Sequence, residues 1–183
     1  MCVCVCVCVL TRHVHPRLTT VIGNVASALE VEEPERRLRV VKLLGRLFYA
    51  ESSDVGSKFK SVFTQWSARV TDTDATIRKQ MARCLVKILE NKAELRDVAT
   101  QSLIAMLSDP SSDIRIEVVH NVCDLASDDP KKVADELLRE VGKRVSSKSK
   151  TERKDAATGL AQIYQAHYSK PKLAAIAADE DCK

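Results

Sequence analysis

Four segments of the sequence carry the same pattern of apolar residues at intervals of 37 to 41 residues, and this internal repeat restricts the possible folds more than any other feature. Counted from Arg37, Arg78, Arg115 and Arg153, apolar side chains follow at offsets of 3, 4, 7, 10 and 11 residues in every segment. These offsets trace one face of an α-helix. The residues at the last offset are Phe48, Leu89, Ala126 and Tyr164. Each segment therefore predicts an amphipathic helix, which we name the A helix of its repeat.

A second apolar pattern lies 16, 12 and 8 residues before each of these arginines. Its members are Val21, Val25 and Leu29; Val62, Trp66 and Val70; Ala99, Leu103 and Leu107; and Leu137, Val141 and Val145. Steps of four predict a further helix, the B helix, and a helical hairpin of about forty residues as the repeating unit. Because two amphipathic helices cannot cover their own stripes, neighbouring hairpins must stack. The predicted fold is all-α, an α-solenoid of HEAT-like helical hairpins that forms an armadillo-like superhelix of about seven helices.

The repeat also sets the expected domain boundaries. The array covers residues 17–168, with a B helix at 17–30, A/B pairs at 34–70, 75–107 and 112–145, and an A helix at 150–168. Both terminal helices lack a hairpin partner and a polar capping repeat, so we expect the chain to be a fragment. Residues 169–183 are expected to be a tail or the start of a truncated helix. Residues 1–16 are expected to be disordered or a gene-model artefact, because an in-frame TGTGTG repeat encodes alternating Cys and Val.

Two of the turns before the A helices place an aspartate six residues before the arginine, as Asp72 before Arg78 and Asp109 before Arg115. Such an aspartate can accept backbone N–H groups at the start of a helix. Both turns resemble the HEAT pattern, which implies that the aspartate and arginine pair between successive repeats. The first and fourth repeats depart from it, with Val31 and Ser147 at the aspartate position and Arg36 and Glu152 at the position before the arginine. We therefore expect this structural ladder to be intact only in the middle of the array.

Three stretches, residues 35–48, 109–119 and 153–164, are similar to the PDS (precocious dissociation of sisters) family of sister chromatid cohesion proteins. Residues 159–164, Gly-Leu-Ala-Gln-Ile-Tyr, are the most distinctive. The resemblance implies a long HEAT-repeat protein that associates with the cohesin complex in the nucleus. It also implies that the protein binds the kleisin subunit and helps to decide whether cohesin stays on chromatin.

Exposed basic residues are the candidate partner-binding site. We define the basic ridge as Arg39, Lys42 and Arg46 on the first A helix with Lys79, Arg83 and Lys87 on the second. Stacked helices lie about 8–10 Å apart, so the two rows can form one positive surface. The alternatives are an ordinary solvated face and a surface for nucleic acid, although a net charge of +4 is small for a dedicated DNA-binding module.

Other chemistry-bearing residues have simpler interpretations. Cys2, Cys4, Cys6 and Cys8 alternate with valine, whereas zinc sites usually separate their cysteines by two to four residues, so no metal site is predicted. Trp66 and Tyr164 fall in core columns, and His120 falls on the solvated face. Cys84 and Cys123 are expected to be buried or half-buried thiols.

The sequence contains no motif typical of an enzyme, such as a phosphate-binding glycine loop or H-E-x-x-H, and no stretch of about twenty apolar residues. We expect a non-catalytic scaffold without cofactor or metal that binds protein partners and does not enter a membrane. Two alternatives remain: a nucleic-acid-binding helical repeat, and an unrelated HEAT scaffold of transport or kinase regulation.

Overall fold

The structure, a computed structural model, describes residues 16–169, and this part of the chain contains α-helices and short 3-10 turns but no strand. Its nine α-helices are α1 (Pro16–Ser27), α2 (Pro34–Tyr49), α3 (Val55–Lys58), α4 (Lys60–Ser67), α5 (Ala75–Asn91), α6 (Arg96–Met106), α7 (Ser112–Asp128), α8 (Asp135–Lys143) and α9 (Lys150–His167). The all-α fold class is as predicted, and the helix number exceeds seven partly because a break at Phe59 separates the single turn α3 from α4. Apart from one residue each, the segments 1–16 and 169–183 lie outside the described residues.

Side-chain caps fix where some of these helices begin. The carboxylate of Asp74 accepts hydrogen bonds from the backbone N–H groups of Thr76 and Ile77, at 2.7 and 3.1 Å, and so caps α5. The hydroxyl of Ser149 accepts the N–H of Glu152 at 3.4 Å at the start of α9. These bonds satisfy N–H groups that a helix leaves without an internal acceptor.

The chain forms two compact units, residues 1–102 and 103–183. In the first unit, α2 packs against α5, and an aromatic cluster of Phe48, Phe63 and Trp66 lies between α2 and α4, with ring centroids 5.1 to 5.8 Å apart. Trp66 is 0% exposed, and its indole N–H donates to the carbonyl of Val41 at 3.0 Å. The interpretation of Trp66 as a core residue is therefore confirmed.

A buried lysine holds the loop after α2. Lys92 follows the C-terminus of α5, and its ammonium group donates to the carbonyls of Glu51, at 3.0 Å, and of Ser53. The neighbouring Asn91 donates to the carbonyl of Tyr49 at 3.1 Å. These bonds give the loop carbonyls the partners that burial requires.

Four predicted core positions, Val21, Val145, Ala157 and Tyr164, are exposed, and for two of them the error has a physical reason. The first B helix, α1, buries Ile22 and Ala26 and leaves Val21 54% exposed, so its apolar stripe is shifted by one residue, whereas Leu29 in the following turn is buried as predicted. Tyr164 in α9 is 58% exposed, although Phe48 and Leu89 at the same offset are fully buried. In those repeats a following B helix covers this side of the A helix, whereas no helix follows α9 within residues 16–169.

The A helices approach closely where a glycine faces a cysteine, with the two residue types exchanged between the units. In the first unit, a Cβ atom on Gly45 of α2 would lie 2.7 Å from Sγ of Cys84 in α5. In the second, a Cβ on Gly159 of α9 would lie 2.5 Å from Sγ of Cys123 in α7. Both cysteines are buried, as expected, and burial raises the pKa of the Cys123 thiol to about 11. In both helix pairs, therefore, a glycine without a side chain makes room for the small side chain of a cysteine on the facing helix.

We predict that Gly45→Ala lowers the free energy of unfolding by about 2 kcal/mol, because the new methyl group collides with the Cys84 thiol. Removing that thiol leaves Cβ of Cys84 as the nearest atom at 3.3 Å, so Gly45→Ala should cost much less in a Cys84→Ala background. Urea denaturation of the four variants measures both effects. Gly142→Ala is the matched control, because nothing lies within 4 Å of its added Cβ. Equal costs of Gly45→Ala in both backgrounds would contradict this account.

Candidate functional site

Within the first unit, the ladder of paired side chains begins with Arg37. Its Nε and Nη2 groups donate to the two carboxylate oxygens of Asp72, at 3.0 and 2.8 Å, in a two-point contact. The Asp72 side chain is almost fully buried, and one of its oxygens also accepts the backbone N–H of Asp74 at 2.9 Å. The aspartate thus joins the A helices of two repeats and holds its own turn.

The four marker arginines also share a contact within their own repeats. In each, Nη1 donates to the carbonyl oxygens six and five residues earlier, at distances of 2.6 to 3.3 Å. The acceptor pairs are Val31 and Glu32, Asp72 and Thr73, Asp109 and Pro110, and Ser147 and Lys148. Because these acceptors are backbone atoms, Val31 serves as well as an aspartate. The departure in the first repeat therefore does not disturb Arg37.

The expectation that the fourth repeat breaks the ladder is also wrong. Glu152 is 0% exposed and replaces the missing aspartate. Arg115 donates to its carboxylate from Nε, at 3.2 and 3.1 Å, and from Nη2 at 3.0 Å. Ser147 donates its hydroxyl hydrogen to the same carboxylate at 2.8 Å. The acid has moved by five residues, from the turn to the first turn of α9, and still reaches the arginine of the preceding repeat.

A second arginine, missed by sequence reasoning as a ladder residue, supports each of these two acids. Arg69 donates to the carbonyl of Leu29 at 3.2 Å and lies 3.7 Å from the Asp72 carboxylate. Arg144 donates to the carbonyl of Leu107 at 3.1 Å and lies 3.8 Å from the Glu152 carboxylate. The available signal was their shared position, nine residues before a marker arginine. We name the Arg37, Arg69 and Asp72 group the first rung, and the Arg115, Arg144 and Glu152 group the second rung.

The two rungs determine the protonation of their acids. Burial raises the pKa of Asp72. Hydrogen bonds from Arg37 and the Asp74 N–H, together with the charges of Arg37 and Arg69, lower the pKa by more than burial raises it, so the pKa lies below its ordinary value. The pKa of Glu152 is likewise lowered by hydrogen bonds from Arg115 and Ser147 and by both arginine charges, which outweigh its burial. Both acids therefore stay ionised at neutral pH.

The other ladder residues named from the sequence have these positions. Asp109 is buried, and its carboxylate accepts the N–H of Ser111 at 2.8 Å. Arg78 binds the turn carbonyls of its own repeat. These contacts match those of Asp72 and Arg37 in their own turns.

The basic ridge lies on α2 and α5, which meet at Gly45 and Cys84. Arg39, Lys42 and Arg46 are exposed, and the described residues form no ion pair with these three side chains. On α5, Lys79 is half-buried, Arg83 is exposed, and Lys87 pairs with Glu90 at 2.8 Å. Burial raises the pKa of the Cys84 thiol, while the hydrogen bond from Gln80 and the charges of Arg46 and Lys42 oppose that rise.

His120 lies on the solvated face, as predicted, with its imidazole 3.5 Å from the carboxylate of Asp155. The two residues line a cleft of about 260 Å³ in the second unit, between α7 and α9. Within residues 16–169 there is no group of three or more His, Cys, Asp or Glu side chains that could hold a metal ion. The cysteines at positions 2, 4, 6 and 8 lie outside these residues. None of the helices described is both long and apolar enough to cross a membrane.

We predict that Glu152→Ile lowers the free energy of unfolding by about 3 kcal/mol, because it leaves the arginines of the second rung without their acid. Isoleucine is the residue that the second and third repeats bury at this position, as Ile77 and Ile114. Adding Ser147→Asp recreates the arrangement of the first rung, so the double variant should recover most of the loss. Thermal unfolding of the variants measures the coupling, and a double variant no more stable than Glu152→Ile alone would refute the idea of a relocated acid.

The same rung predicts a pH dependence. Because the folded-state pKa of Glu152 is lowered, its stabilisation is fully present above the unfolded pKa of about 4.3 and is lost as the pH falls through the folded value. The difference in unfolding free energy between the wild type and Glu152→Gln should therefore be largest above about pH 5 and should shrink below pH 4. Urea titrations at several pH values test this, and a difference that grows on acidification has the wrong sign.

Comparison with known proteins assigns the chain to a family. The profile described as "Sister chromatid cohesion protein PDS5 protein" matches residues 4–181. The chain is 31% identical, over 165 residues, to sister chromatid cohesion protein PDS5 homolog B of Rattus norvegicus, a match that covers 90% of this chain and 11% of that protein. It is 32% identical to the Homo sapiens homolog B over 148 residues, which covers 81% of this chain and 10% of that protein. The chain thus spans about a tenth of the length of these relatives.

A solved structure with the same fold belongs to the Pds5–Scc1 complex. It superposes with a TM-score of 0.75 at 18% sequence identity and covers 88% of this chain and 25% of that chain. This likeness confirms the predicted α-solenoid of HEAT-like hairpins. The profile covers nearly all of the sequence, and this chain therefore belongs to the PDS5 family of sister chromatid cohesion proteins.

Proposed function

We propose that this protein takes part in the regulation of sister chromatid cohesion as a non-catalytic HEAT-repeat scaffold in the nucleus. In this proposal it binds the kleisin subunit of cohesin and reaches chromatin through that complex. Membership of the PDS5 family supports the role, and a structural relative solved in complex with Scc1 supports the class of partner. The unrelated transport and kinase scaffolds have no comparable support.

The surface we propose for the partner is the basic ridge. Its strongest support is that Arg39, Lys42 and Arg46 are exposed on successive turns of one helix without ion pairs among the described residues. The rung arginines have different surroundings, since Arg37 is buried in the first rung and Arg144 in the second is mostly covered. These three side chains of the ridge can therefore contribute their charges to a partner without first breaking an ion pair among the described residues.

An exposed apolar residue gives the ridge a second kind of contact. Leu43 is 40% exposed and lies four residues after Arg39 and three before Arg46, on the same helical face. A segment that carries acidic residues around a central apolar side chain is complementary to this face. Charge on the rim steers such a partner, while a buried apolar contact slows its dissociation. We therefore propose that the ridge binds an acidic, partly apolar segment of kleisin.

We predict that reversing three ridge charges, as Arg39→Glu, Lys42→Glu and Arg46→Glu together, weakens kleisin binding at least tenfold. The changes replace attraction to an acidic segment with repulsion on a face that contributes little to the core. Pull-down of kleisin followed by calorimetry on the purified protein measures the loss. Lys131→Glu, Arg139→Glu and Lys154→Glu together form the control, because they make the same change in net charge at exposed positions of the second unit.

Two outcomes would contradict the proposal in different ways. No capture of kleisin by the wild-type protein removes the partner, and equal losses in the ridge and control variants remove the ridge. The second candidate function, nucleic-acid binding, rests on the same three exposed side chains, Arg39, Lys42 and Arg46. It is favoured instead if the wild type binds duplex DNA at low salt, the ridge variant does not, and affinity falls steeply as salt rises.

A further inference from the structure

Ser147 occupies the position of an acid in the repeat. It lies six residues before Arg153, as Asp72 and Asp109 lie six before their arginines. Its hydroxyl oxygen accepts the N–H of Ser149 at 3.3 Å, in the way that the two aspartates accept the N–H groups of Asp74 and Ser111. A negative group attached to Ser147 would thus lie in a turn of the same kind as those that contain the carboxylates of Asp72 and Asp109.

The second rung also has one negative charge fewer than the first. In the first rung, Arg37 and Arg69 face Asp72, and Arg69 also pairs with Glu30 at 3.4 Å. In the second, Arg115 and Arg144 share Glu152, and the position equivalent to Glu30 is Ser108. Two arginines against one acid leave a local excess of positive charge.

Arg144 has a donor to spare. Its Nε–H is buried and has no acceptor among the described residues, and the Nη1 group binds the Leu107 carbonyl. A buried donor without an acceptor carries the full cost of desolvation. Lys148 and Arg153 lie beside the same turn, and Arg153 already binds the carbonyl of Ser147 at 2.9 Å. Basic residues therefore lie on both sides of Ser147 along the chain, and Arg144 and Ser147 both contact the carboxylate of Glu152.

The turn is accessible to a modifying enzyme. Ser147 is half-buried, Ser146 is exposed, and Val145 before them is 40% exposed, so little apolar surface holds residues 145–148 in place. The bonds of Ser147 to Glu152 and of Arg153 to the Ser147 carbonyl must break before a kinase can bind the turn, so the kinase acts on the locally opened chain, in which Arg144 is released as well. Arg144 lies three residues before Ser147, and kinases select substrates by charge patterns of this kind, in which an acidic cleft binds basic residues near the serine.

From these observations we propose that Ser147 is a phosphorylation site whose phosphate binds Arg144 in the second rung. A protein kinase transfers the γ-phosphoryl group of ATP to Oγ, so that the Oγ–P bond forms, the bond to the β-phosphate oxygen breaks, and ADP leaves. The hydroxyl proton passes to the base of the kinase. The product no longer donates to Glu152, and repulsion between the two anions turns the phosphate toward Arg144. Glu152 keeps its contact with Arg115.

Phosphorus NMR of the full chain with phosphoserine incorporated at position 147 tests the contact. An arginine neighbour favours the dianion, so the second ionisation of the phosphate should occur below its ordinary midpoint of about 6. The midpoint should rise again in Arg144→Gln. Phosphoserine at the exposed position 146 is the matched control and should titrate close to a free phosphopeptide. A midpoint at position 147 that equals this control, or that Arg144→Gln does not move, overturns the proposed contact.

Mass spectrometry of the protein from cells that express it tests the modification. The peptide that carries Ser147 should be recovered in a phosphorylated form when phosphatases are inhibited, with fragment ions that distinguish Ser147 from Ser146 and Ser149. Cells that express the Arg144→Gln variant should show a reduced phosphorylated fraction. Complete coverage of this peptide without phosphate on Ser147, in both dividing and resting cells, would overturn the assignment.

Discussion

In each unit, one buried carboxylate is bound by two arginines, and the stability of the fold depends on this carboxylate being fully paired. An ionised carboxylate with little or no solvent contact is costly unless its charge and its hydrogen-bonding capacity are satisfied together. Asp72 and Glu152 both meet this condition, because one arginine forms hydrogen bonds to the carboxylate and a second arginine lies within 4 Å of it. The marker arginines also bind the turn carbonyls of their own repeats. Each rung therefore fixes the turn, the start of an A helix and the position of its neighbour at once.

The close approach of the A helices depends on the same positions along the chain. When Arg37 or Arg115 reaches the acid of the next repeat, the helix that follows it is brought alongside its neighbour. Gly45 with Cys84, and Gly159 with Cys123, then meet at distances that leave no room for a methyl group. Tight packing converts small changes of volume into loss of stability, so each rung and its glycine contact act on the same interface.

Periodicity predicted most of the fold because a helix maps residue spacing directly onto direction. The offsets from the marker arginines identified Phe48, Leu89 and Ala126 as buried without any structural information. The prediction that Tyr164 is buried was wrong, because burial also requires a neighbouring helix, and residue spacing within one helix does not show whether a neighbour is present. The expectation that Glu152 breaks the ladder was wrong for another reason. A glutamate in the first turn of an A helix and an aspartate in the turn before that helix can both place a carboxylate beside the marker arginine of the preceding repeat. Sequence position shows where a residue starts, whereas side-chain reach decides what it contacts.

The basic ridge could be named from the sequence, but its difference from the rungs could not. Arg37 and Arg39 are two residues apart, of the same type and on the same helix, yet one is buried against Asp72 and the other is exposed without an ion pair among the described residues. A guanidinium that already fills its donors has little to offer a partner, and removing it would damage the fold before any binding could be measured. An exposed guanidinium without an internal ion pair can form a new one with a partner. The helical rotation of about 200 degrees between the two positions separates a buried arginine from an exposed one, and variants intended to test the proposed binding must respect that separation.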